Sequence, residues 1–363
     1  MVEFLNLNVA GSEFRQLLNE IFPESYGLLL YYTYYLLFTY KYIYFLPIIY
    51  LFYNLNSKPI NLNFINSKME QQVLEKYIES GKIAKEVVEW SKNLIRPDAK
   101  ILDVVETIEG RIKEKNAQIA FPVNISINSI AAHSTPAWND VSVIGESVVK
   151  IDIGVAVEGY IADIAYTVDL TGKYAKMLDA NKAALENALK ILKPNLKISE
   201  IGKVIEETIK SYGYKPIENL TGHQIAQYVL HAGLSIPNVH INSNQTLTED
   251  MVIAIEPFVT NGIGTVIETN KCEIYSLMQI KPVRMTEERN LLKDIEARKS
   301  MPFAKRWFSR TIKETNLNLI LQDMVNRNII RKHRMFREKS DGIVSQFEHT
   351  VIITKDGAVI TTL

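Results

Sequence analysis

The sequence predicts an α+β fold with a mostly antiparallel sheet. The chain has 363 residues, of which 47% are hydrophobic and 23% charged, a balance typical of globular proteins with a large core. Helical and strand-like segments alternate without the regular βαβ spacing of a parallel sheet. We find no short-period repeat and no glycine-rich phosphate loop. The length permits one large domain or two ordinary ones.

Charge and cysteine content exclude some classes of partner. Lys plus Arg equals Asp plus Glu at 41 each, so no overall field favours nucleic acid or an anionic membrane. A single cysteine, Cys272, excludes an internal disulfide and suits a reducing compartment. We expect Cys272 to be an inert, partly buried thiol.

The first 68 residues differ in composition from the rest of the chain. Residues 27–53 read GLLLYYTYYLLFTYKYIYFLPIIYLFY and hold nine of the 18 tyrosines. The length permits a membrane span, but Lys41, Pro47 and the scattered tyrosines are atypical of one. Acidic residues before the run also disfavour a signal peptide. We expect a main domain over 69–363, preceded either by an over-extended start before Met69 or by a membrane tether.

Periodicity predicts the elements of the main domain in order. Apolar residues at helical spacing predict helices over 71–94, 101–115, 174–192 and 198–212. Strands are predicted over 148–168 as a hairpin, over 251–256, 265–268 and 348–354, and after a turn at 355–357. The charge-rich section 283–340 has helical character. Because strand-like sequence resumes directly after it, we interpret this section as an inserted helical subdomain.

Two aspartates lie in the otherwise apolar hairpin VVKIDIGVAVEGYIADIAYTV. If Glu158 and Gly159 form a two-residue turn, Asp152 is opposite Ala165, and Asp163 is one diagonal step away on the same face. Like charges this close repel, so either one carboxyl keeps a proton or a cation lies between them. The hairpin alone leaves a metal site, acid–base chemistry and a chance pair at the strand ends open.

Further polar residues occur at the ends of apolar strands. The segment NLTGHQIAQYVLHAG contains His223 and His231, AIEPF contains Glu256, and QFEHTVII contains Glu348 near its start. Burying four uncompensated carboxylates in one pocket is prohibitive, and two divalent cations would neutralise them. Oxygen-rich ligation with an imidazole and without thiolate suits Mn, Fe, Co or Zn.

These motifs together closely resemble one enzyme family. AFPVNISINSIAAHSTP, the two aspartates eleven residues apart, GHQIAQYVLHAG, IPNV, AIEPF, PFAKRW and QFEHT occur in the order typical of type 2, archaeal methionine aminopeptidases. The resemblance covers 69–363. It implies a pita-bread fold, two pseudo-symmetric halves around a curved sheet with a dinuclear metal site. The helical section between Glu256 and Glu348 favours type 2. The absence of a Cys/His zinc module favours the archaeal form.

The resemblance implies a role for each matching residue. Asp152 would chelate one metal ion, His223 and Glu256 the other, and Asp163 and Glu348 would bridge both. Two metal ions this close together can lower the pKa of a bound water. Glu256 would also shuttle the proton that this water loses. The remaining matches concern the substrate: His133 and His231 would hydrogen-bond the scissile amide and carbonyl, and Phe121 and Leu230 would line the methionine pocket.

The resemblance also implies a substrate and a setting. The enzyme would remove the N-terminal methionine of nascent proteins when the second residue is small, because the metal site and the rim near His133 crowd that residue. Nascent N-terminal peptides, and the ribosome that presents them, would be its partners. We expect a cytoplasmic monomer that requires no nucleic acid.

Five other residues receive no role from the resemblance, and two alternative functions remain. We expect His240, His333 and His349 to be structural or solvent-exposed. Ser134 and Trp138 occupy positions where the family more often has tyrosine and a small residue, which affects the rim of the pocket. A prolidase or aminopeptidase P shares the ligand geometry but usually has a large additional N-terminal domain. A non-catalytic pita-bread module would have lost ligands, whereas all five occur here.

Overall fold

The computed structural model describes residues 69–363. The predicted alternatives for the first 68 residues, an over-extended start or a membrane tether, lie outside the described residues. None of the helices between residues 69 and 363 has the length and apolarity needed to cross a membrane.

The four helices predicted in the first part of the domain are confirmed, and two more follow. In chain order the α-helices are α1 Gln71–Ser91, α2 Ile101–Glu114, α3 Ala175–Ile191, α4 Ile198–Ser211, α5 Thr286–Ala297 and α6 Glu314–Asn326. Short 3-10 helices span Lys92–Leu94 and Lys305–Trp307. Each of α1 to α4 buries one apolar face, as the spacing predicts.

The strands between these helices are mostly short. They are β1 Gln118–Ile127, β2 Ile130–Ala132, β3 Val148–Val157, β4 Tyr160–Asp169, β5 Lys215–Pro216, β6 Thr221–Ile225, β7 Ser235–Pro237, β8 Val252–Ile255, β9 Phe258–Thr260, β10 Val266–Glu268, β11 Ile274–Leu277, β12 Phe303–Ala304, β13 Ile330–His333, β14 Phe336–Glu338, β15 Val344–Gln346, β16 His349–Thr354 and β17 Gly357–Ile360. Every strand pairing within residues 69–363 is antiparallel. The prediction of a mostly antiparallel sheet is therefore confirmed.

The longest strands form one half of the domain. β1, β3 and β4 pair in the order β1-β3-β4, and α1 and α2 pack against them around a core that includes Ala84, Ile108 and Ile151. The predicted turn between β3 and β4 is confirmed. Glu158 and Gly159 have φ angles of 49° and 83°, the left-handed values that a two-residue type I′ turn requires at both positions.

A five-stranded sheet forms the other half. Its order is β17-β16-β8-β6-β7, and α3 and α4 cover it around residues such as Leu185, Ile201 and Ile253. The halves join where β4 meets β16. The Glu348 amide donates to the Ala165 carbonyl at 3.0 Å, and the Asp163 amide donates to Thr350 Oγ1 at 2.7 Å. The candidate ligands on β4 and at the start of β16 are therefore neighbours.

The section 283–340 is only partly helical, so the prediction for its last part was wrong. α5 and α6 share a small apolar core that includes Leu291 and Leu317, but residues 330–338 form β13 and β14. A turn with Asn328 at a φ angle of 53° separates them from α6. β13 pairs with β11, and β14 pairs with β10 and β2. Tertiary pairing thus overrides a local helical pattern.

Candidate metal centre and substrate pocket

The β3–β4 hairpin presents its two aspartates on one face. Asp152 lies opposite Ala165, and Asp163 lies opposite Gly154, which is the predicted register. Gly154 is required by space: a Cβ added there would approach the Phe121 ring to 2.2 Å. The glycine therefore lets an apolar ring lie directly over the strand that carries Asp152.

The other half of the domain supplies three further ligand candidates. His223 lies on β6, Glu256 directly follows β8, and Glu348 directly precedes β16. His223 Nε2 is 3.6 Å from Asp163 Oδ2 and 3.5 Å from Glu256 Oε1. One ligand atom from each of Asp163, His223 and Glu348 lies within 4.8 Å of the others, and all three residues are buried.

Gln346 belongs to this centre and was missed in the sequence. Its side-chain amide donates to Glu256 Oε2 at 3.3 Å and to Glu348 Oε2 at 3.2 Å. Thr167 Oγ1 fixes the strand by donating to the Gln346 carbonyl at 2.6 Å. The available signal was the position of Gln346 two residues before Glu348, because alternate residues of an extended segment share a face.

Burial raises the pKa values of all four carboxyls, and repulsion adds to the effect for three of them. Desolvation raises the pKa of Asp152 to about 7. Burial, followed by repulsion from neighbouring carboxylates, raises the pKa values of Asp163, Glu256 and Glu348 well above their ordinary range. Burial lowers the pKa of His223 to about 4, which leaves its imidazole neutral. A neutral imidazole among carboxylates is a suitable donor set for a divalent cation.

Buried carboxylate oxygens without hydrogen-bond partners show whether these residues suit a metal ion. Asp152 Oδ1, Asp163 Oδ1 and Glu348 Oε1 are buried and have no hydrogen-bond partner among the described residues. Leaving several such atoms unpaired in one place is costly, and metal coordination is one way to satisfy them. The residues present therefore fit the metal ions that the sequence motifs imply.

A pocket opens onto these carboxylates. Its lining combines apolar and amide side chains with imidazoles. The lining includes Phe121, Asn124, Ala132, Leu230, Ile274 and Pro302, together with His133, His231 and His333. Phe121 and Leu230, assigned to substrate contact, thus face the same space as the ligand candidates.

The two histidines assigned to catalysis lie beside the ligand candidates. The His231 ring centroid is 4.3 Å from that of His223, and burial lowers the pKa of His231 to about 2. His133 has a φ angle of 58°, a left-handed conformation that is uncommon outside glycine and that often occurs at functional sites. Its Nδ1 lies 3.2 Å from the Arg334 carbonyl, and burial lowers its pKa.

A buried network holds the segment that follows His133. Arg306 Nη1 donates to Thr135 Oγ1 at 2.6 Å and also pairs with Glu109. Glu109 in turn accepts from Trp307 Nε1 at 2.8 Å and from the Val123 amide at 3.2 Å. The PFAKRW motif therefore positions the pocket wall, a role that its sequence alone does not reveal.

The predictions for the other histidines are correct for two of three. His240 is exposed, and His349 Nδ1 lies 2.8 Å from Thr362 Oγ1, away from the pocket. His333 was predicted to lie outside the site but lines the pocket. The error has the same cause as the misassigned helix, because only strand pairing of β13 with β11 turns this residue inward. Trp138 is partly exposed and donates to Glu314, outside the pocket lining.

Comparison with known proteins identifies the family. The model of metallopeptidase family M24 matches residues 75–355. The chain belongs to metallopeptidase family M24. A methionine aminopeptidase of Archaeoglobus fulgidus is 47% identical to it over 296 residues, which cover 81% of this chain and 100% of the relative.

Solved structures of other proteins share the fold. The structure of a thermophilic Arx1 covers 81% of this chain and 91% of its own, with 18% identity and a TM-score of 0.70. Methionine aminopeptidase from Rickettsia prowazekii covers 82% of this chain and 99% of its own, with 21% identity and a TM-score of 0.61. The pita-bread fold expected from the motifs is confirmed.

Proposed function

We propose that this M24 metallopeptidase is a type 2 methionine aminopeptidase, which removes the N-terminal methionine when the second residue is small. One observation carries the proposal: five ligand candidates from two sheets line one pocket together with His133 and His231. Relatives that this chain matches over most of its length bear the name methionine aminopeptidase. They favour this activity over a proline-directed one.

The proposed cofactor is a pair of divalent ions of the Mn, Fe, Co or Zn class. Asp152 would hold one ion, His223 and Glu256 the other, and Asp163 and Glu348 would contact both. Four carboxylates at one point support two ions rather than one, because a single divalent charge leaves the cluster negative. When bound, such ions polarise a carbonyl and make a nucleophilic water available at neutral pH.

The protein side chains have separate proposed tasks. Glu256 would accept and pass on the water's proton, and Gln346 would hold its carboxylate in place. His133 Nδ1 donates to the Arg334 carbonyl, so the opposite ring nitrogen, Nε2, which has no hydrogen-bond partner among residues 69–363, would accept the scissile amide N–H. A neutral His231 can donate to the substrate's carbonyl oxygen as negative charge develops there.

The setting of the enzyme is also proposed. Residues 69–363 would form the catalytic domain, with an insertion at about 283–340. Substrates would be the N-terminal peptides of nascent proteins, met at the ribosome in the cytoplasm. The single cysteine suits a reducing compartment, and the balanced charge gives no preference for nucleic acid. We propose that the enzyme acts as a monomer.

A peptide panel tests the proposal. The chelated protein should be inactive and should regain cleavage of Met-Ala-Ser when a divalent metal is restored. Met-Lys-Ser, with a large second residue, should be cleaved far more slowly, and an Ala-Pro peptide should not be cleaved. Preference for Ala-Pro would indicate the proline-directed alternative. A metal-loaded protein that cleaves none of these peptides would indicate a non-catalytic module.

A further inference from the structure

Strands β11 and β13 form a wall of the pocket whose polar residues have no assigned role. Their antiparallel register places Ile274 opposite His333 and Ser276 opposite Arg331, so the four side chains share one face. Ile274 and His333 line the pocket directly. We refer to Ser276, Arg331 and His333 as the polar strip.

Hydrogen bonds within the polar strip have a defined direction. Arg331 Nε donates to Ser276 Oγ at 3.1 Å, and Ser276 Oγ lies 2.8 Å from His333 Nε2. Ser276 is buried, and its hydroxyl contacts no other acceptor in residues 69–363. Donating its hydrogen to His333 Nε2 is therefore the arrangement that leaves no buried hydroxyl unsatisfied.

This direction fixes the tautomer of His333. Burial, together with repulsion from His133 and Arg331, lowers the pKa of His333 to about 3, so the ring is neutral at ordinary pH. A neutral imidazole carries one N–H, and an Nε2 that accepts a hydrogen bond leaves that N–H on Nδ1. Nδ1 has no partner among the described residues. The N–H of this pocket-lining residue is therefore available to a ligand.

The neighbours of His333 indicate which acceptor reaches it. Its ring lies edge-on to that of His133, with centroids 5.8 Å apart. Phe121 and Leu230 are assigned to the methionine side chain, whereas His133 is assigned to the scissile amide. A donor beside His133 therefore lies near the part of the substrate that follows the scissile bond and leaves as the shortened peptide.

We propose that His333 is a substrate-positioning residue whose Nδ1–H donates to the first peptide carbonyl beyond the scissile bond. The inference rests on the proposed aminopeptidase function and deepens it. Ser276 and Arg331 would act through His333 by holding its tautomer and ring orientation. The polar strip would thus recognise peptides and not other methionyl compounds.

Two substrates and two variants test the inference. Met-Ala-Ser has a carbonyl beyond the scissile bond, whereas methionyl p-nitroanilide has none. His333→Phe keeps a ring against His133 but removes the donor. KM for Met-Ala-Ser should rise about three- to ten-fold, as expected for one neutral hydrogen bond, with kcat little changed. KM for the anilide should stay as in the wild type.

A second variant and a control separate positioning from a structural role. His333→Asn restores an N–H close to the position of Nδ1 and should recover KM for the peptide. His240→Phe makes the same change at an exposed site and should alter neither substrate. Equal changes for both substrates, no change for either, or no recovery with asparagine would overturn the inference. Wild-type protein that cleaves neither substrate would instead refute the aminopeptidase function on which it rests.

Discussion

Replacing Asp152 with asparagine should make the metal-free protein more stable at high pH, although it weakens the metal site. A carboxyl with a raised pKa binds its proton more tightly in the folded than in the unfolded chain. Its stabilising contribution is therefore lost as pH rises from about 4 to about 7. The difference between 3.8 and about 7 corresponds to at most about 4 kcal/mol, at about 1.36 kcal/mol per pKa unit. Asparagine does not ionise, so the variant avoids this loss of stability as pH rises.

Thermal unfolding by circular dichroism measures the effect. At pH 8 in chelator, Asp152→Asn should unfold up to about 10 °C above the wild type, at roughly 2–3 °C per kcal/mol for a domain of this size. The difference in unfolding temperature between the two proteins should shrink at pH 5. With metal present, the wild type should be the more stable protein.

Asp169 provides a matched control for this experiment. It lies on the same hairpin, but hydrogen bonds from Thr171 and the Tyr174 amide lower its pKa despite the opposing effect of burial. Asp169→Asn should therefore lower stability at pH 8. Chelated Asp152→Asn that is no more stable than chelated wild type at pH 8 would refute the reasoning about its desolvated carboxyl.

Three further predictions concern the metal centre and the domain. Asp163→Asn or Glu348→Gln should lower kcat by several orders of magnitude and reduce metal content measured by mass spectrometry, because each residue is proposed to contact both ions. Wild-type metal content and turnover would contradict the proposed dinuclear site. His231→Ala should lower kcat about 10²- to 10³-fold, as expected for a lost oxyanion donor, while metal content is retained; loss of metal would make His231 a ligand. A chain of residues 69–363 should match the full chain in kcat/KM for Met-Ala-Ser, since every assigned site residue lies after residue 120; a large deficit would show that the first 68 residues contribute to activity.

Local sequence predicted much of the fold because the relevant forces are local. The β3–β4 hairpin could be assigned residue by residue, since a Glu158–Gly159 turn fixes the register and the register fixes the faces of Asp152 and Asp163. Helices α1 to α4 followed from apolar spacing in the same way.

The remaining features depend on contacts between distant residues. β13 follows a helix and carries a basic, helix-compatible sequence, so only its pairing with β11 reveals a strand. His333 consequently could not be placed in the pocket. Gln346 and the network of Glu109, Arg306 and Thr135 were missed for a related reason, because hydrogen-bonded partners so far apart in the chain leave no periodic signal.

The location of the section 283–340, between Glu256 and Glu348, has a consequence for how the pocket can diversify. All candidate metal ligands lie outside this section, on the two sheets that meet at Glu348, whereas Pro302 and His333 reach the pocket from within it. The section thus adds two residues to a pocket whose other lining residues, including Phe121 and Leu230, come from the same part of the chain as the candidate ligands. Substitutions at Pro302 or His333 would therefore change the shape and polarity of the pocket without replacing any candidate metal ligand.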